Sequence, residues 1–193
     1  MNWDWFKIMF DEGLDHILQW GGVDHILFIV ALTAVFQLKH WGRVLGLVTF
    51  FTVGHTLTIV LANMDLIPVN KAIAEFLIQV TIFYTGLMNL MKAGQNPRGN
   101  ARFFLAALVG LIHGLGFFEK FRMLSMGDDK DWVALIPFSL GIELAQIIVA
   151  LCVLIITSIL FNFMRVKQRE WNLFSSGIVC GVSAYLIVEN WPW

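Results

Sequence analysis

The stretch Asp24-His25-Ile26-Leu27-Phe28-Ile29-Val30-Ala31-Leu32-Thr33-Ala34-Val35 decides how the chain is read. An acid and an imidazole stand side by side, and no charged residue follows from Ile26 to Val35. Ionisable groups at the mouth of such a run are costly to hold in a bilayer, and by default they mark a functional site. Three later apolar runs each carry one more ionisable group: His55, His113 and Glu143.

The composition agrees with a membrane solvent. Of 193 residues 58% are hydrophobic and only 14% charged, against about 25% charged in an ordinary soluble domain. A net charge of -1 gives no reason to expect nucleic acid as a partner. Cys152 and Cys180 both lie inside apolar runs and read as small packing residues, without a CxxC spacing. Asp4, Asp11, Glu12 and Asp15 against the single Lys7 argue against a cleavable leader.

Working outward, residues 1–20 interleave apolar and acidic side chains at helical spacing with flanking tryptophans, the pattern of an interfacial amphipathic helix. Six candidate spans follow, at about 22–38, 44–62, 72–91, 102–118, 132–164 and 172–189, each near or above the roughly 20 residues a bilayer requires. The fold class is therefore an all-α integral membrane protein, and 1–193 reads as a single polytopic domain. Basic residues in the loops after spans one, three and five (Lys39, Arg43, Lys92, Arg98, Arg102, Arg165, Lys167, Arg169) outnumber those opposite (Lys7, Lys71, Lys120, Arg122, Lys130). That bias sets both termini outside the cytoplasm.

In this orientation Asp24 and His25 open the first span on the outer side. At about 1.5 Å per residue, His55, His113 and Glu143 fall between mid-membrane and the outer surface. His16, ending the interfacial helix, can reach the same level. A lone membrane histidine is often only an interhelical hydrogen bonder, but a common depth on separate helices reads as a site. Imidazoles and carboxylates without a thiol suit Ni²⁺, Co²⁺, Zn²⁺ or Mn²⁺ rather than Cu(I). Asp24 could ligate directly or fix a neighbouring imidazole's tautomer.

Thr52 and Thr56 share a helix face with His55 and could orient its ring. Gly110, Gly114 and Gly116 around His113 fit either close helix packing or a local break that exposes carbonyls. Ser139, Glu143 and Gln146 share one face of the fifth span. Glu75, near the outer start of span three, is a weaker candidate. His40 reads as a solvated loop residue, and Met88, Met91, Met123 and Met126 as filler. Trp132, Trp191 and Trp193 outside, with Trp41 and Trp171 inside, fit an aromatic belt.

Four stretches together resemble the HupE/UreJ family, small membrane proteins associated with hydrogenase and urease accessory systems. They are His16-Ile17 with Asp24-His25-Ile26-Leu27-Phe28; Phe51-Thr52 with His55-Thr56-Leu57-Thr58; Gly110-Leu111-Ile112-His113-Gly114-Leu115-Gly116-Phe117; and Gly141-Ile142-Glu143-Leu144 with Gln146. Two features depart from the pattern: a longer gap between His16 and Asp24, and Ser139 where asparagine is usual. The resemblance implies nickel or cobalt uptake by a secondary route in a bacterial cytoplasmic membrane. The implied metal ligands are His16, Asp24, His25, His55, His113 and Glu143.

Two functional classes are compatible with these residues. A permease would hold a divalent metal ion at an outward-facing site and pass it inward. The inner halves of the spans read as nearly pure hydrocarbon with few stepping stones such as Gln37, so its halves would have to rock around the site. A zinc-dependent intramembrane hydrolase of a lipid or membrane peptide would keep an open position for water. Glu143 or Asp24 would then be its general base, and Ser139 a substrate-orienting group. A metal-free hydrogen-bonded scaffold is the structural alternative. Membrane lipid is the surrounding partner in every case, and a homo-oligomer is compatible with all three.

Overall fold

The structure, a computed structural model, describes residues 3–19, 22–92, 100–124 and 131–193, with backbone alone at 131 and 132. Trp20, Gly21, Arg98, Met126, Lys130 and the side chain of Trp132 lie outside the described residues. Among the described residues seven α-helices run in order: α1 Trp3–Leu18, α2 Val23–Thr33, α3 Trp41–Asn63, α4 Lys71–Met91, α5 Ala101–Leu124, α6 Asp131–Asn162 and α7 Gln168–Glu189. A one-turn 3-10 helix, Leu38–His40, leads into α3. Among the described residues there is no strand.

Among the described residues five helices are long and apolar enough to cross a bilayer, and α1 with α2 forms a pair bent by 69° that makes a sixth when taken together. The exterior is apolar. Along α6, Leu140, Leu144, Ile148, Leu151, Ile155 and Ile159 are exposed at helical spacing. Water would penalise that stripe, whereas lipid is indifferent to it. This is a multi-pass membrane protein.

Most helix bounds follow the apolar runs, but the first span does not. A segment over 22–38 is expected, yet α2 has only 11 residues, about 16 Å of helix. Beyond it Ala34, Val35 and Phe36 are buried without continuing the helix. Neither glycine nor proline stops it. The carbonyls at its end are taken by distant side chains instead: Asn89 Nδ2 donates to Ala31 O at 2.6 Å, and Gln168 Nε2 to Val35 O at 2.7 Å. Protein donors of this kind make a broken helix tolerable in a membrane, where an unpaired carbonyl costs several kcal/mol (~).

Glycines lock two helix pairs. A Cβ on Gly54 would collide with the Ala107 carbonyl, on Gly110 with that of Phe51, and on Gly114 with that of His55, so α3 and α5 meet backbone to backbone. Likewise, a Cβ on Gly13 would strike the Phe138 carbonyl, and one on Gly141 the Phe10 carbonyl, which joins α1 to α6. Met9, Gly13 and Ile17 form the buried stripe of α1, while Trp3, Lys7, Asp11 and Asp15 stay exposed. The amphipathic pattern is thus real, and its buried side is a helix contact. α5 runs unbroken through its glycines and past Glu119-Lys120, so they serve close packing and not a break.

Candidate metal centre

His25 sits in the first turn of α2. Asp24 Oδ1 accepts from the His25 backbone N–H at 2.8 Å and contacts His25 Nδ1 at 2.9 Å. A carboxylate oxygen only accepts, so Nδ1 carries a proton, which in a neutral ring leaves the lone pair on Nε2. His113 repeats the device one α5 turn above Val109: Nδ1 lies 2.9 Å from Val109 O, a pure acceptor, which again leaves Nε2 unprotonated. These tautomers are assigned from the hydrogen-bond partners.

Four imidazoles converge. Ring centroids lie 4.6 Å apart for His16 and His25, 4.8 Å for His25 and His113, 5.7 Å for His16 and His55, and 6.1 Å for His25 and His55. Potential ligand atoms of His16, His25 and His55 lie within 4.8 Å of one another, as do those of Asp24, His25 and His113. A tetrahedral site with bonds of 2.0–2.1 Å has edges of about 3.3 Å, so an ion here would draw the rings slightly inward. Phe117 lies against His16 at 4.0 Å and stacks on Phe138 at 4.9 Å, and Phe51 meets His113 edge-on at 5.1 Å. These rings wall the cluster.

The donor set passes a physical test of fit. His16 Nε2, His25 Nε2, His113 Nε2 and both ring nitrogens of His55 are buried with no hydrogen-bond partner. Buried polar atoms are nearly always paired, and an unpaired one costs about 1–3 kcal/mol. Unpaired imidazole nitrogens brought this close together are what a cation would satisfy. Since His55 has no ring partner, Thr52 and Thr56 do not orient it.

Those hydroxyls serve Glu143 and Ser139 instead. Thr49 Oγ1 donates to Glu143 Oε1 at 2.6 Å, Thr52 Oγ1 donates to Glu143 Oε2, and Thr56 Oγ1 and Ser139 Oγ lie 2.7 Å apart. These residues line a groove of about 540 Å³ between α3 and α6. Glu143 is in neither ligand grouping with the histidines. Its depth matches theirs, but its direction does not. His16, whose spacing to Asp24 departs from the family pattern, does join the cluster.

The nearly pure hydrocarbon expected on the inner side is corrected by a buried polar network. Arg102 donates to Asn89 Oδ1 at 2.8 Å, Asn172 Nδ2 to Asn89 O at 3.2 Å, and Ser176 to Asn172 Oδ1 at 3.0 Å. Gln37 Nε2 donates to Gln168 Oε1 at 3.0 Å. His40 is also more than a solvated residue, because its Nδ1 accepts from the Gln37 N–H at 3.2 Å and caps the turn into α3. Met91 and Met123 are exposed, away from the imidazoles, as filler would be.

Fold and site together define a polytopic helical membrane protein with a buried imidazole and carboxylate cluster at a broken helix. The chain belongs to the HupE/UreJ family: the family described as "HupE / UreJ protein" matches residues 1–190. No curated protein and no solved structure matches it.

Proposed function

We propose that the protein is a secondary permease for a divalent transition metal, with nickel or cobalt as cargo captured on the side of the chain termini, outside the cytoplasm. The observation that carries this reading is the set of buried, unpartnered imidazole nitrogens on α1, α2, α3 and α5. His16, His25, His55 and His113 would hold the ion, and Asp24 would orient His25 and balance charge. Discontinuous helices recur in secondary transporters, and α2, which carries His25, is a short helix of this kind. Family membership points to the same cargo.

The hydrolase reading gains no specific support. Its general base, Glu143, and Ser139 are engaged with threonine hydroxyls in the lateral groove, and Asp24 is engaged by His25.

The test is cobalt binding to purified protein together with nickel uptake into proteoliposomes. His55→Ala and His113→Ala should each abolish both. Unchanged binding in the two variants would sink the shared site, while bound zinc without uptake in the parent protein would favour hydrolysis.

A further inference from the structure

A second, polar cavity adjoins the metal centre on the face where α2 and α4 begin and α7 ends. It measures about 250 Å³ and is lined by Asp24, Glu75, Gln79 and Asn190, with apolar side chains between them. At about 30 Å³ per water it has room for roughly eight waters, enough for a cation that keeps its first hydration shell. Glu75 and Gln79 are one turn apart on α4 and so present their side chains along one line. Glu75 is half-exposed. Gln79 is only 6% exposed, and its Oε1 is buried without a partner. Asp24 is less exposed than Glu75 and already bonded to His25.

We propose that this cavity is a vestibule: a transient site for a hydrated divalent cation that loads the imidazole centre. The inference rests on the permease reading. Its donors are all oxygen, suited to a hydrated ion, whereas the next station offers nitrogen to an ion that has shed water. Gln79 lines the cavity together with the solvent-facing carboxylate and Asp24, and its orphaned Oε1 can accept from a coordinated water once the amide turns toward the cavity. Lys71 sits 3.7 Å from Glu75 in an exposed pair, a contact weak enough for an arriving dication to displace.

The experiment is stopped-flow mixing of cobalt(II) chloride with the full-length protein, following the visible absorption of bound cobalt at several salt concentrations. Glu75→Gln should slow association about three- to tenfold and flatten its salt dependence, as removal of a steering charge does. The cobalt bound at saturation should stay at the wild-type level. Gln79→Leu should slow association without changing the salt dependence, and Lys71→Ala should accelerate it. Magnesium should compete for the vestibule, slowing cobalt without lowering its final occupancy.

Wild-type rates in both Glu75→Gln and Gln79→Leu, with cobalt still bound, would overturn the vestibule and leave the permease reading standing. Failure of the wild-type protein to bind cobalt would overturn both. Glu75 is half-exposed, so its conservative variant keeps the proposal testable even if Gln79→Leu fails to fold.

Discussion

At the residue scale, the chemistry turns on which nitrogen of each imidazole is left free. Asp24 and the Val109 carbonyl each take one ring N–H, so in their neutral forms His25 and His113 keep the lone pair on Nε2. Asp24→Asn keeps an acceptor beside Nδ1 but removes its charge. Changes of that kind typically cost about 10–100-fold in metal affinity, and equilibrium dialysis with cobalt should read that loss. Unchanged affinity would mean that the aspartate is dispensable to His25. The histidines and Asp24 were legible in the sequence because ionisable residues are conspicuous in apolar runs. Depth was legible too, since rise per residue is constant. Direction was not: Glu143 lies level with the cluster yet turns toward Thr49 and Thr52, and nothing in its own helical spacing says which neighbour that face meets.

Elements carry a different lesson. The spans from α3 onward could be read from apolar length, but the early end of α2 could not. Its stop signal is Asn89 and Gln168, which are 58 and 133 residues from the carbonyls they bond. Local composition cannot report a partner at that separation. Glycines near His113 left close packing and a break equally open, and only the position of α3 decides between them. Gly110→Leu should therefore force α3 and α5 apart. Overpacking of a tight contact typically costs about 1–3 kcal/mol, and backbone facing backbone has little room to relax. Thermal unfolding in detergent should show a clear drop. Gly177→Leu on α7, where an added Cβ meets nothing within 4 Å, should be tolerated. Equal effects of the two substitutions would refute the glycine lock.

For the whole molecule, a ligand that binds only the folded state adds stability by mass action. That amounts to about 2.7 kcal/mol at a free concentration one hundred times the dissociation constant. Cobalt should accordingly raise the melting temperature of the wild-type protein and leave His113→Ala unmoved; an equal rise in both would place the ion elsewhere. The bundle contains two glycine-locked pairs, α3 with α5 and α1 with α6; His55 and His113 come from one pair and His16 from the other, with His25 of α2 packed against all three. Between the pairs, α3 faces α6 across the 540 Å³ groove and a smaller apolar one of about 220 Å³. That line is a seam, and the threonine hydroxyls on Glu143 are the polar fastening across it. Backbone contacts bind each pair tightly, whereas here the two pairs meet across open space, so the hydrogen bonds on Glu143 tie the molecule together where its packing is loosest.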